Sequence, residues 1–152
     1  MLLDLTQQLC NVSVVVDADA ELDESSVDDV SRTEHRIVSQ WRAVSADEKH
    51  QMREQVDEIL RPIGLQTRLL VVERANSLAL YFLCMALSAV IRLRVQWSTG
   101  QLRDIVQSLF TFLTDATHQV RVKRLTWRQD DYERRVKFFS SLQGKKKRSN
   151  RQ

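Results

Sequence analysis

The sequence predicts an α+β fold, a two-layer sandwich in which a ferredoxin-like (split βαβ) antiparallel sheet carries its helices mainly on one face. Three observations lead there. The hydrophobic periodicity runs strand, helices, strand, strand, helices, strand, helix, which is the βαββαβ order. Only three Gly and one Pro occur in 152 residues, so the regular elements are long, and the abundant Leu, Gln, Arg and Glu make helix predominate. The third observation is the uncharged run of seventeen residues from Ala75 to Ile91. As a single helix it would rise about 25 Å, the short limit for crossing a bilayer. Asn76 and Ser77 are turn formers placed after another apolar stretch, Leu69 to Val72. Tyr81 and Phe82 favour strand, whereas Met85, Ala86, Leu87 and Ala89 favour helix. The run is therefore read as a buried strand, Ser77 to Cys84, followed by a helix from Met85 to Trp97.

From the amino end, Asn11 to Val16 is short, β-branched and bounded by polar residues, a strand. Asp17 to Ser31 is acidic, lacks a sustained apolar period and reads as a linker. Residues 1–32 are then either an arm outside the domain or the supplier of its first strand. A helix over Thr33 to Val44 turns Ile37, Trp41 and Val44 to one side. Ser45-Ala46-Asp47-Glu48 has the S-x-x-E spacing of a capping box and predicts a second helix, with Met52, Val56, Ile59 and Leu60 as its apolar stripe until Pro62 and Gly64. Leu65 to Val72 pairs with Ser77 to Cys84 as a hairpin. After the Ser98-Thr99-Gly100 break, Leu102, Ile105, Val106, Leu109, Phe112 and Leu113 keep helical spacing. Val120 to Trp127 reads as a strand whose alternation slips phase, which a bulge near Lys123 would reconcile. Asp130 caps a last helix with Tyr132, Val136 and Phe139 inward; Gly144 stops it, leaving a disordered basic tail over 144–152. The folded domain is placed at 33–143.

Charge is uneven. Residues 1–34 hold nine acids and one base, and residues 120–152 hold three acids and twelve bases. Such asymmetry marks a nucleic-acid or membrane contact, or else two ends that neutralise each other. Cys10 and Cys84 stand far apart in apolar settings with no CxxC, which suits free thiols in a reducing compartment better than a disulfide framework or zinc site. The amino end shows no basic region ahead of an apolar core, so no secretory signal is expected, and the protein is read as cytoplasmic. His35, His50 and His118 lie apart and lack ligand-spaced neighbours; no catalytic residue, metal or cofactor is expected. Ser98-Thr99-Gly100 lacks the lysine of a phosphate-binding loop and is read as a helix cap. Lys145, Lys146, Lys147 and Arg148 are either a solvated tail or a nuclear import signal.

Ala-Asn-Ser-Leu-Ala-Leu-Tyr-Phe-Leu-Cys (75–84), a following helix, and then Trp97-Ser98-Thr99-Gly100-Gln101-Leu102 resemble the core of TRADD-like N-terminal domains: a strand opening with Gly-Ser, a helix, an aromatic residue and Gly-x-Leu. The resemblance covers roughly residues 45–142. It departs where the family often has Gly and this chain has Asn76, also tolerant of a left-handed turn. It implies a small α+β domain without catalytic activity, an adaptor in cytoplasmic death or innate-immune signalling, and no family binding residue carries across. Two other classes compete. RNA-recognition modules share the βαββαβ order, but Val120 to Trp127 lacks the Gly-aromatic signature that stacks bases; a membrane-anchored fragment requires 75–91 to be a span.

Period-two geometry supplies the candidate binding surface. With Leu78, Leu80 and Phe82 facing the helices, Ala79, Tyr81 and Leu83 face away. Arg68, Leu70 and Val72 join them if Thr67, Leu69 and Val71 point inward. A face of apolar residues with Tyr and Arg suits a protein partner or self-association, unless Leu2 to Leu9 folds back over it.

Overall fold

The computed structural model describes residues 13–24, 29–46, 48–114 and 120–150, with side chains to residue 142. Asn11, Cys10, His118, the Leu2 to Leu9 cover, and the side chains of Lys145, Lys146, Lys147 and Arg148 lie outside those residues. The elements are β1 (Val14–Leu22), α1 (Val30–Ser45), α2 (His50–Leu60) with a 3-10 turn (Arg61–Ile63), β2 (Thr67–Arg74), β3 (Leu78–Cys84), α3 (Leu87–Thr99), α4 (Gln101–Leu113), β4 (Val122–Thr126) and α5 (Gln129–Asn150).

The four strands form one open sheet in the order β2-β3-β1-β4, with every neighbouring pair antiparallel. The fold is thus α+β with two-layer character. Both crossovers, β1 to β2 and β3 to β4, join parallel strands with a third strand between them, which is compatible with the split βαβ arrangement.

β1 is where the structure most corrects the expected boundaries. Val14 to Leu22 alternates in burial, and from Val16 in residue type, with Val16, Ala18, Ala20 and Leu22 buried and Val15, Asp17 and Glu21 exposed. The first residues of the expected acidic linker are therefore strand, and β1 is central, flanked by β3 and β4. Carboxylates are poor strand formers, yet here they need only point off the sheet while the small alanines meet the core. α1 begins earlier than its apolar pattern suggested. Asp29 caps it, accepting from the Arg32 amide at 3.2 Å.

Ser45 opens no capping box. It ends α1, and its hydroxyl donates back to the Trp41 carbonyl at 2.8 Å; α2 starts at His50 without a side-chain cap. The hairpin turn falls over Ala75 to Ser77, and α3 starts at Leu87. Gly100, at φ +86°, ends α3 and begins α4, a left-handed conformation that side-chain-bearing residues resist. Gly144 does not stop α5, whose backbone stays helical to Asn150, so the expected disordered tail is helix over most of its length.

Two bulges set the faces of the sheet. On β4, Glu21 pairs with Arg124 and Leu22 with Val122, leaving Lys123 unpaired; this is the expected bulge, and it lets Val120, Val122, Leu125 and Trp127 all be buried. On β2, Leu69 pairs with Phe82 and Val71 with Tyr81, leaving Leu70 as the extra residue. The inner strand residues join Ile37, Trp41, Val44, Val56, Val90, Leu93 and the α4 stripe in one core. No helix among the described residues is long and apolar enough to cross a membrane.

Candidate interaction face

The side of the sheet turned away from the core is built by register. One row runs Arg68, Leu83, Val15 across β2, β3 and β1; the next runs Val71, Tyr81, Asp17; the third runs Glu73, Ala79, Asp19 and reaches Thr126 on β4. Val15 and Val71 are exposed at 37% and 41%, and Tyr81 and Leu83 are half-buried. An apolar strip therefore crosses three strands next to a group of carboxylates.

The structure brings together only part of the expected set. Arg68, Tyr81 and Leu83 lie on this face as expected. Leu70 is exposed at the bulge. Val72 is turned inward and fully buried, and Val71 takes its place outside, because the extra residue at Leu70 inverts the alternation beyond it. Ala79 is buried, between Asp19 and Glu73 in register, and offers no surface. Val15, Val71, Asp17, Asp19 and Glu73 were missed. Asp17 and Asp19 had a partial signal in the apolar/acidic alternation of Val16 to Leu22, set against the poor strand propensity of carboxylates; Val15, inside a run of three valines, and Val71 and Glu73 had none, since no residue type announces a bulge at Leu70.

Electrostatics tie the carboxylates to the tyrosine. The Tyr81 hydroxyl donates to Glu73 Oε1 at 2.8 Å. That bond, with burial and the charges of Asp17, Glu73 and Asp19, pushes the phenol up to about 12. Burial raises the Asp17 carboxyl, as do Asp19, Asp131 and Glu73, against the opposing pull of Arg135. Asp131 belongs to the start of α5: it is buried, accepts from Trp127 Nε1 at 2.9 Å, and pairs with Arg135 at 3.0 Å. Beside it the Arg94 guanidinium lies over Trp97, Trp127 and Tyr132 at 4.1, 5.1 and 5.0 Å and donates to the Trp127 carbonyl at 2.7 Å. The three-ring cage is filled by the chain's own cation and joins α3 to α5.

A second concavity, about 930 Å³, lies between α1, α2, the 3-10 turn and β2, with Trp41, Val56, Ile63 and Leu69 in its lining. Trp41 Nε1 donates to the Leu70 carbonyl there at 3.4 Å. His35 is exposed on α1 and His50 at the start of α2. Among the described residues no group of three His, Cys, Asp or Glu could hold a metal ion. Cys84 is buried, and burial pushes its thiol up to about 11 despite the Thr67 hydroxyl beside it.

Fold and face define a class: a small α+β domain with a sheet surface that is partly apolar and partly acidic. No family model, curated protein or solved structure matches the chain.

Proposed function

We propose that the chain is a non-enzymatic adaptor or interaction domain that associates with another protein through the outer face of its sheet. Its setting would be cytoplasmic death or innate-immune signalling, as the TRADD-like resemblance implies, with the basic residues near Lys145 as a nuclear import signal. The observation that supports this reading is the strip Val15, Leu83, Tyr81 and Val71, apolar surface left accessible across three paired strands. Contiguous exposed apolar surface is costly in water and is commonly retained for association. Affinity purification with mass spectrometry tests it on the wild-type chain and on Val71→Ser and Tyr81→Ala. Proteins captured by the wild type should be lost from both variants at unchanged melting temperature. Retention of every captured protein by folded variants refutes the face.

A nucleic-acid-binding reading draws on one observation, the exposed Arg121, Lys123, Arg124 and Arg128 on and beside β4. Lys123 and Arg128 already have acidic neighbours, Glu21 at 4.0 Å and Asp130 at 3.3 Å. Salt dependence separates the two: counterion release makes nucleic-acid affinity fall steeply with salt, while an apolar contact changes little.

A further inference from the structure

Three carboxylates gathered on the outer face lack the cation that other carboxylates of the sheet and its flanking helices have. Glu21 lies by Lys123, Glu34 by Arg74, and Asp131 between Arg134 and Arg135. Asp17, Asp19 and Glu73 have no Lys or Arg within ion-pairing distance among the described residues. Arg135, the cation that acts on Asp17, is held by Asp131. Three carboxylates gathered around one tyrosine thus repel one another beside a strip of exposed Val and Leu.

We propose that this face docks a basic, aliphatic-bearing segment of another protein, its apolar side chains on Val15, Val71 and Leu83 and its Lys or Arg among Asp17, Asp19 and Glu73. This rests on the reading of the outer face as the partner surface and names the chemistry of the partner. Charge complementarity selects the occupant. Arg68 and Arg124 also lie on this side of the sheet, but neither pairs with the three carboxylates; a nucleic acid or an anionic membrane would add negative charge beside them, whereas an ammonium or guanidinium group relieves the repulsion. The geometry suits a long basic side chain. Val71, Tyr81 and Asp17 occupy adjacent strands, so the apolar and acidic ends of that row are about 10 Å apart. The methylene stem of a Lys can cross Tyr81 while its head reaches the carboxylates.

The test is fluorescence anisotropy at physiological salt, with the full chain and a labelled synthetic peptide alternating Lys with Leu. Two control peptides replace Lys by Glu or Leu by Ser. The Lys/Leu peptide should bind, and each control should bind at least about tenfold more weakly. Asp17→Asn with Asp19→Asn should weaken the Lys/Leu peptide about fivefold or more, and so should Val71→Ser; Glu21→Gln, which removes a carboxylate already beside Lys123, should leave affinity unchanged. Thermal melts establish that the variants are folded. No binding of the Lys/Leu peptide at about 1 mM, or equal binding of the Glu/Leu peptide, overturns the proposal. Loss with Val71→Ser but not with the Asp variants removes the charge assignment and leaves the face; loss with neither removes both.

Discussion

Tyr81 and Asp17 stand opposite each other across the β3–β1 pair, and their titration follows from that placement. The raised Asp17 carboxyl holds its proton more tightly in the native than in the unfolded chain. Between the unfolded value and the raised native one, the native state binds more protons, so stability falls as pH rises through that window. Asp17→Asn should therefore raise the melting temperature slightly at pH 7, and the gain should vanish below about pH 3.5, where both states of the wild type are protonated. Parallel thermal melts check this; an unchanged or lowered value at pH 7 contradicts it. Cys84 behaves in the opposite register of reactivity: buried and held as the thiol, it should resist alkylation at pH 8 in a Cys10→Ser chain and label only on unfolding. Mass spectrometry of iodoacetamide-treated protein reads the result. Replacing Leu80, fully buried on the central strand β3, by Arg should abolish cooperative folding, since an unpaired charge would enter the core. At this scale the sequence was informative wherever period two was unbroken, as for Leu78, Leu80 and Phe82, and misleading after Leu70, where one unpaired residue exchanges the roles of Val71 and Val72.

The edge strand β4 and the helix after it are secured by contacts from the second crossover. Gln107 Oε1 on α4 accepts from the Val122 amide at 3.2 Å, and Trp97 Nε1 on α3 donates to the Leu125 carbonyl at 2.8 Å. These satisfy backbone groups of an edge strand that could otherwise pair with another chain. Gln107→Ala leaves the part-buried Val122 amide unpaired and should cost about 1–2 kcal/mol in chemical denaturation. Arg94 does comparable work for α5, through its carbonyl bond and the three rings. Arg94→Met keeps the stem but loses the charge and the donors, and should raise hydrogen exchange in the first turns of α5 by about tenfold, roughly 1.4 kcal/mol of local opening. Exchange measured by mass spectrometry checks it; unchanged protection of α5 would mean the cage is dispensable. These attachments were not legible beforehand. A Gln or an Arg on a helix has the same local propensity whether it reaches a neighbouring carbonyl or water, so only the packing of α3 and α4 against β4 reveals their partners.

For the whole molecule, the core described extends to Phe139. Removing residues 145–152 takes away five of the twelve carboxyl-end bases and should shift the melting temperature by no more than about 2 °C. The sequence by itself determined the α+β class, the order of strands and helices, the bulge near Lys123 and the inward set of β3, because periodicity and chain breaks are local properties that survive without neighbours. It did not determine that the acidic residues 17–22 form a central strand: their poor strand propensity is overridden only when Ala18 and Ala20 find the core and β3 and β4 pair on either side. Nor could it show that Gly144 stays within a helix, or that Asp17 and Asp19 meet Glu73, more than fifty residues away in the chain, around one tyrosine. Propensities are local, whereas burial, backbone pairing and charge proximity act between residues far apart along the chain; only the tertiary structure decides them.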